Sequence, residues 1–208
     1  MRRAARFSLW MACGCAALLA GCQSLPADEA GADALVAVRP QAAAFSLSGR
    51  LSASDGVRKA AGRFSWEHAP AREAFTVLSP LGQVMAQVSA DANQAVYRDA
   101  EGETLYAPDL QSLLPNLLGE VPVTVAALVC WVQAVVCDGA QVAARDALGR
   151  PLRITHEDGW QVEYGAYRAE AGDAPVYRLT ATRADARVQI LVRQTATISP
   201  GRDSSVAR

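Results

Sequence analysis

The sequence predicts a mainly β domain of the α+β class, in which helices cover the concave apolar side of a strongly curved antiparallel sheet. Three observations lead to this prediction. Apolar and polar residues alternate from residue 45 onwards, the apolar spacing becomes helical near residue 110, and alternation returns after residue 150. Alternation with a period of two is typical of strands with one buried face. A helical run between two groups of such strands is expected to pack on that face.

About five short strands are predicted before the helices. Apolar residues alternate with polar ones in each, and Asp99 to Gly102 closes the fifth. The inward-facing residues of these strands are Phe45, Leu47, Gly49, Leu51, Phe64, Trp66, Phe75, Val77, Val84, Ala86, Val88, Ala95 and Tyr97.

The loop between the third and fourth strands carries an apolar residue at its tip. Pro80 favours the second position of a β-turn and Gly82 the fourth, so Leu81 falls at the third. Turn tips face water and are usually polar. Leu81 therefore either folds back on the core or contacts an apolar partner outside the domain.

Two helices are predicted in the middle of the chain. The first begins after Pro108-Asp109 and ends at Gly119, and Thr124 is placed to cap the second. The apolar faces carry Leu110, Leu113, Leu114, Leu117 and Leu118 in the first helix and Ala127, Leu128, Trp131 and Val132 in the second.

About four strands follow the helices. Asp158-Gly159 predicts a hairpin turn within this group. The inward-facing residues of the group are Leu152, Ile154, Trp160, Val162, Tyr164, Tyr177, Leu179, Ala181, Val188, Ile190 and Val192.

The composition along the chain predicts four segments. Residues 1–21 have the basic start and short apolar run of a signal peptide, too short to span a membrane comfortably. Residues 22–41 are expected to form a flexible tether that starts at a lipidated cysteine. Residues 42–198 form the predicted domain, and residues 199–208 a loose tail.

The signal ends in Leu19-Ala20-Gly21-Cys22, which resembles the lipobox of bacterial lipoproteins. That resemblance implies a diacylglyceryl group on the sulfur of Cys22, cleavage before it and acylation of the new amine. Asp directly after the cysteine favours the inner membrane in that class, so Gln23 indicates a Gram-negative outer membrane. The protein is then lipid-anchored and faces the periplasm. The alternative is an ordinary secretory signal with an incidental cysteine.

Charge and cysteine content narrow the function classes. The signal removes three of the 20 basic residues, which leaves 17 against 21 acidic ones and a net charge of −4. This balance does not indicate a nucleic-acid partner. Cys130 and Cys137 would lie in the oxidising periplasm and could form a disulfide if the chain turns between them. Two free buried thiols are the alternative.

The two histidines do not mark an active site. His68 and His156 lack metal-ligand spacing, and although each lies beside a carboxylate, no motif supplies a nucleophile. The sequence also lacks a Gly-x-Ser-x-Gly elbow and a Gly-rich phosphate loop. We therefore expect no catalytic residue, metal or cofactor, and a protein that is not an enzyme.

A set of large apolar residues on inward faces is the candidate site. A curved sheet closed by an apolar helix can enclose a ligand cavity, although ordinary core is the simpler interpretation for each residue alone. The candidates are Phe45, Leu47, Phe64, Trp66, Phe75, Leu113, Leu117, Trp131, Trp160 and Tyr164.

Short segments across most of the mature chain resemble one family. They are "FSLSGRLS", "GRFSWEH", "LSPLGQ", "LLGEVPV" followed by "LVCWV", "GWQVEYGAY" and "APVYRLT". Their order and spacing, together with the lipobox, resemble LolB, the outer-membrane receptor of the LolA/LolB lipoprotein-sorting family. LolA has a similar fold but is a soluble carrier, so Cys22 favours the receptor.

The resemblance implies an incomplete antiparallel β-barrel closed by helices, with an apolar cavity for acyl chains. It implies a LolA-like periplasmic carrier, acylated lipoproteins and the inner leaflet of the outer membrane as partners of a monomeric receptor. It also implies a role for the Pro80-Leu81-Gly82 loop, because a leucine on a protruding loop of this family helps to place lipoproteins in the membrane.

The chain departs from the family at two places. The family often has Trp in its last strand, where Gln194 stands here, and its "WL.G" pattern becomes Trp131 to Ala134. Two other functions stay open: an outer-membrane lipoprotein scaffold that binds protein partners without holding lipid, and a lipid-anchored hydrolase.

Overall fold

Six strands, a helical segment and five further strands follow one another along the chain. The structure, a computed structural model, describes residues 39–197. The predicted signal peptide, Cys22, the first part of the predicted tether and the predicted tail lie outside the described residues.

The strands form two runs of hairpins. The first run contains β1 (Phe45–Ser54), β2 (Lys59–Ala69), β3 (Arg72–Leu78), β4 (Val84–Asp91), β5 (Ala95–Asp99) and β6 (Thr104–Ala107). The second run contains β7 (Ala140–Arg145), β8 (Pro151–His156), β9 (Gln161–Tyr167), β10 (Val176–Arg183) and β11 (Ala186–Thr197).

Pairing of β1 with β11 joins the two runs into one sheet. The strand order is β6-β5-β4-β3-β2-β1-β11-β10-β9-β8-β7, with antiparallel pairing throughout. Within the described residues, β6 and β7 form the two edges and the sheet does not close on itself. The predicted fold class, an incomplete antiparallel barrel with helices, is confirmed.

The sequence prediction missed the two edge strands, β6 and β7. An edge strand pairs on one side only, and in β6 neither face is fully buried, so apolar and polar residues do not alternate clearly. Tyr106 on this edge is 71% exposed. The sheet therefore has six and five strands where about five and four are predicted.

Three residues that the alternation places on the inward face point outward because of register shifts between strands. Tyr177 is exposed because the β9–β10 pairing shifts beside it and Val176 takes the inward position. Leu152 and Val84 are exposed beside comparable shifts in the β7–β8 and β3–β4 pairings. An extra residue in one strand reverses the inward and outward order, and alternation alone does not reveal it.

The helical cover (residues 110–133) consists of a 3₁₀ turn at Gln111–Leu113, helix α1 (Leu114–Leu118) and helix α2 (Val125–Gln133). Gly119 follows α1 with a φ of +74°, a conformation that favours glycine. The Thr124 hydroxyl accepts a hydrogen bond from the Ala127 amide at 3.0 Å and caps α2. The end of α1 and the start of α2 lie where the sequence predicts them, whereas α1 begins at Leu114, after the 3₁₀ turn, and not directly after Pro108-Asp109.

Apolar side chains of the helical cover and of the inward sheet face form one core. Trp66 makes edge-to-face contact with Phe45 at 5.1 Å between ring centroids, and Phe64 stacks on Phe75 at 5.7 Å. The core therefore lies between helices and sheet, where the alternation of the central strands directs it.

Gly49 lies at a shift in the β1–β11 register, where two strands approach closely. A Cβ atom at this position would lie 2.0 Å from the Leu191 carbonyl oxygen. No side chain fits there, so glycine is required by space at the pairing that joins the two halves of the sheet.

Gly49→Ala is therefore expected to destabilise the domain by at least about 1–3 kcal/mol, because overpacking would force β1 and β11 apart. Urea unfolding followed by circular dichroism measures the change. Gly172→Ala is the matched control, because its Cβ would make ordinary contact at 3.5 Å. Equal stability of the two variants would contradict the steric argument.

Candidate functional site

The central apolar region lies between the inner face of the sheet and the helical cover. Strands β1, β2, β3 and β11 supply one wall, and the helical segment supplies the other. The interior (the space between them) is lined by Leu51, Phe64, Trp66, Phe75, Leu110, Leu114, Leu118, Val125, Leu128 and Ile190. Every lining residue is apolar, and three of them are predicted candidates.

The interior is almost filled by its own side chains. Its free volume is about 20 Å³, room for about one water molecule. A ligand of any size can therefore enter only if the helical cover moves away from the sheet.

A mouth cleft of about 320 Å³ lies between α1 and strands β1 to β5. Its apolar lining includes Val77, Met85 and Leu117, and Leu51 and Phe64 line both this cleft and the interior. The cleft therefore leads to the interior. Its lining also includes cationic Lys59 and Arg63.

Tyr97 lines the mouth cleft and keeps its proton at neutral pH. Burial raises the pKa of the Tyr97 hydroxyl above its ordinary value, and the nearby Asp99, Glu101 and Glu103 raise it further. The hydroxyl therefore adds no negative charge to the cleft, whose lining combines apolar residues with the cationic Lys59 and Arg63.

A polar cluster holds Trp66 at the wall of the interior. The Trp66 indole donates a hydrogen bond to Glu73 Oε2 at 2.8 Å, and His68 Nδ1 lies 2.6 Å from Glu73 Oε1. Glu73 thus satisfies the one polar atom of the indole, and the ring presents an apolar surface to the interior.

Among the described residues, hydrogen bonds attach the helical cover to the rest of the domain on either side of α2 but not at residues 110–118. At the α2 end, the Gln133 side chain accepts a hydrogen bond from the Ala42 amide at 2.7 Å. The Trp160 indole donates one to the Pro122 carbonyl at 3.2 Å. Among the described residues, no hydrogen bond joins residues 110–118 to the sheet, and Gln111 instead bonds to Val123 and Val125.

Trp131 and Trp160 lie in a different place from the other aromatic candidates. Their rings meet edge to face at 5.0 Å, beside a second cleft of about 430 Å³. Cys130 and Cys137 line the same cleft and are joined by a disulfide, with Cα atoms 6.2 Å apart. Ala134, which replaces the glycine of the family pattern, ends α2 with a φ of +54°.

All ten candidate residues are buried, but the structure divides them into groups. Phe64, Trp66 and Phe75 line the interior, and Leu117 lines the mouth cleft. The remaining residues of the set lie elsewhere in the core or at the second cleft: Phe45, Leu47, Leu113, Trp131, Trp160 and Tyr164. Burial raises the pKa of the Tyr164 hydroxyl, which has no hydrogen-bond partner among the described residues.

None of the residues on the helical side of the interior belongs to the ten candidates. Leu110, Leu114 and Leu118 line this side, and Val125 and Leu128 of α2 complete it. The helical spacing of the leucines was the available signal, because it identifies the face that packs on the sheet.

The Leu81 loop forms the predicted turn. The Gly82 amide donates a hydrogen bond to the Ser79 carbonyl at 2.9 Å, and Gly82 has a φ of +88°. Leu81 is 90% exposed and does not fold back on the core. Val84 and Met85 beside it are also exposed, so the loop has an apolar tip that extends to the mouth cleft.

The polar groups elsewhere have structural partners. His156 contacts the Asp138 carbonyl and the Asp158 carboxylate, each at 2.8 Å. Within residues 39–197, no group of three or more His, Cys, Asp or Glu residues is arranged to hold a metal. Gln194, at the position of the family tryptophan, is exposed and accepts a hydrogen bond from Ser48 at 3.3 Å.

A family model described as "Outer membrane lipoprotein LolB" matches residues 43–194. The chain belongs to the LolB family. It is 37% identical over 194 residues to the outer-membrane lipoprotein LolB of Azoarcus sp. (strain BH72), covering 93% of this chain and 97% of that protein. The corresponding protein of Bordetella petrii is 34% identical over 165 residues, covering 76% and 78%. Like its relatives, this LolB-family protein is a lipid-anchored outer-membrane lipoprotein with a role in lipoprotein localisation.

Solved structures resemble the chain at low sequence identity. A LolA superfamily protein from Nitrosomonas europaea aligns with a TM-score of 0.49 and 8% identity, over 79% of this chain and 90% of that one.

None of the helices in residues 39–197 has the length and apolar composition needed to cross a membrane.

Replacing both Cys130 and Cys137 with Ala is expected to lower the free energy of unfolding by about 2–3 kcal/mol, because the unfolded chain loses a short closed loop. Urea unfolding measures the loss. Reduced wild-type protein should match the variant. Free thiols in the unreduced protein, detected by thiol titration, would contradict the pairing.

Proposed function

We propose that this LolB-family protein accepts triacylated lipoproteins from a LolA-like periplasmic carrier and inserts them into the inner leaflet of the outer membrane. The observation that carries the proposal is the exposed Leu81 loop, which leads through Val84 to Met85 at the edge of a cleft that adjoins an apolar interior. A cleft alone would support lipid binding, and the apolar tip adds a route to a membrane.

The need for such a protein follows from the hydrophobic effect. Three acyl chains of about fifteen methylenes, at about 0.8 kcal/mol each, represent roughly 36 kcal/mol of transfer from water. No lipoprotein crosses the periplasm alone against that cost. Direct transfer between two apolar sites keeps the chains out of water, and successively tighter binding gives the transfer its direction without ATP.

Acyl chains can enter only if residues 110–118 move away from the sheet. This part of the helical cover contacts the sheet through apolar side chains such as Leu114 and Leu118, without hydrogen bonds to it. Acyl chains can replace apolar contacts with equivalent ones. The hydrogen bonds of Gln133 and Trp160 would keep the α2 end in place during opening.

Leu81 is suited to the delivery step. Burial of one leucine contributes only about 1.5–3 kcal/mol, which is too little to anchor a protein. That amount is enough to favour one orientation of the loop at a bilayer and to disturb lipid packing beside the mouth cleft. Cys22 would supply the anchor itself.

The predicted tether is long enough for the loop to face the anchoring membrane. Arg39 is held by the carbonyl oxygens of Gly172 and Ala174, at 2.7 and 2.8 Å. Leu78, the last residue before the loop, lies level with Arg50 across the sheet. Arg50 is five residues from Phe45, so the loop lies about 17 Å along the strands from the start of β1. The 17 residue steps from Cys22 to Arg39 reach about 56–61 Å when extended.

A second candidate is a scaffold that binds protein partners without holding lipid. The filled interior, with about 20 Å³ of free volume, favours it. Transfer of a triacylated lipoprotein from the carrier separates the two functions, because a scaffold would leave the cargo on the carrier.

Leu81→Glu is expected to leave cargo acceptance unchanged and to reduce delivery into vesicles at least tenfold. A carboxylate at the loop tip cannot enter the acyl region of the bilayer. The measurement mixes a loaded carrier with anchored receptor in vesicles and follows the cargo by sedimentation. Leu148→Glu is the matched control, because Leu148 is exposed in the β7–β8 turn at the opposite end of the strands. Normal delivery by Leu81→Glu would refute the role of the loop.

Deletion of residues 26–37 is expected to impair delivery but not acceptance. The remaining tether would reach only about 17 Å, so the loop could no longer turn towards the anchoring membrane. The same vesicle assay measures both steps, and a Gly-Ser replacement of equal length should restore delivery. Full delivery by the shortened chain would show that the loop does not face that membrane.

A further inference from the structure

Arginines cover one region of the outward side of the sheet. Arg63 on β2 lies opposite Arg50 on β1, Arg50 lies opposite Leu191 on β11, and Arg178 on β10 lies opposite the same Leu191. This row crosses four adjacent strands on the side away from the helical cover. Arg168 and Arg193 lie beside it, and the five exposed residues together are named the arginine face.

Two grooves are lined by four of the five residues of the arginine face, all but Arg178. One, of about 470 Å³, is lined by Arg50, Arg63, Leu191 and Pro80 among others. The other, of about 570 Å³, is lined by Arg63, Arg168, Arg193 and three polar or aromatic side chains, Ser48, Tyr177 and Gln194. Arg63 lines both grooves, so they form a continuous surface.

The charge of this surface is not neutralised by ion pairs within residues 39–197. The ion pairs there involve Arg58, Arg150, Arg153 and the two histidines, and none includes a member of the arginine face. On β2 the next acidic side chain of the same face is Glu67, four residues from Arg63, which is about 13 Å along a strand.

The structure positions two of the arginines and leaves the others free to bind. Arg168 donates a hydrogen bond to the Val192 carbonyl and lies over the Tyr177 ring, 5.2 Å from its centroid. Arg178 donates to the Gly165 carbonyl at 3.4 Å. Arg50, Arg63 and Arg193 make no side-chain hydrogen bond with the described residues, so their donors are available.

The arginine face adjoins the apolar loop tip. Pro80 lines the first groove, and a Cβ on Gly82 would lie 4.0 Å from Arg63 Nη1. An apolar tip beside a group of guanidinium ions matches the surface of an anionic bilayer, where acyl chains lie beneath a layer of phosphates. Arginine binds phosphate through several donors at once.

We propose that the arginine face binds the phosphate groups of anionic phospholipids and holds the domain on the bilayer with the Leu81 loop inserted. The inference deepens the proposed function at its membrane step, and it does not depend on whether the interior takes up acyl chains. The mature chain is acidic overall, so this local cationic surface would set the orientation of the domain against a general repulsion.

The test uses the full-length acylated protein anchored in vesicles, with a polarity-sensitive fluorophore on Gln83→Cys in the loop. The vesicles contain phosphatidylcholine alone or with roughly one-third phosphatidylglycerol. Emission is expected to shift to the blue only with the anionic lipid. Raising the salt from about 0.1 M to about 1 M shortens the screening length from about 10 Å to about 3 Å and should abolish the shift.

The double variant Arg63→Gln/Arg193→Gln should lose the blue shift, because each arginine favours the bound orientation by about fivefold. Arg98→Gln/Arg187→Gln is the control with the same change in charge, since both residues are exposed on the sheet outside the arginine face. The same shift with neutral lipid, or an unchanged shift in the first variant, would overturn the proposal.

A protein partner gives a different result. If the first double variant loses cargo acceptance from the carrier but responds to anionic vesicles like the wild type, the arginine face contacts an acidic protein and the lipid proposal is wrong. If cargo is never accepted by any variant but the lipid response is present and lost with Arg63 and Arg193, the proposed function fails while this inference stands.

Discussion

The structure depends on the covering of one apolar sheet face. A curved sheet that does not close leaves its concave side to be buried by something else, and here residues 110–133 do this. The covering is uneven. Gln133 accepts a hydrogen bond from Ala42 and Trp160 donates one to Pro122, which ties the region around α2 to the rest of the domain. Residues 110–118 contribute apolar contacts and, among the described residues, no hydrogen bond to the sheet. Apolar contacts have no direction and can be exchanged for other apolar contacts at little cost. The segment with the weakest geometric constraint is therefore the one beside the mouth cleft.

The pleat of β2 contributes to both surfaces for which lipid contact is proposed. Phe64 points into the interior and the preceding residue, Arg63, points outward, because successive side chains in a strand lie on opposite faces. The Leu81 loop follows β3, the neighbouring strand, and meets Arg63 at the sheet end. An apolar interior, a cationic outer surface and an apolar tip are thus brought within one small region by pairing between two strands. A carrier, an acyl chain and a bilayer could be contacted there without rotation of the domain.

The opposite end of the helical cover is the fixed point of the domain. Arg39 bonds to the Gln133 carbonyl and to the loop before β10, and the Cys130–Cys137 disulfide closes the turn that follows α2. Ala134 holds a left-handed conformation within that turn, where the family pattern has glycine. The disulfide restrains a turn that here lacks the residue best suited to it. The predicted tether therefore leaves the domain from its most constrained part, far from the segment that would have to move.

Local sequence patterns predict the fold class, the helix boundaries at Gly119 and Thr124, the β-turn with Leu81 at its tip and the family membership suggested by the short segments. These features rest on local patterns: alternation, leucine spacing, a capping threonine and the Pro-Leu-Gly turn. The tertiary structure determines which buried aromatic residues line the same cavity. Trp66 and Trp131 are both predicted on inward apolar faces, yet Trp66 lines the interior and Trp131 the second cleft. The tertiary structure also determines the register shifts that turn Tyr177 outward and the assembly of arginines from separate strands into one surface. These depend on pairing between residues far apart in the chain, and no local pattern in the sequence carries that information.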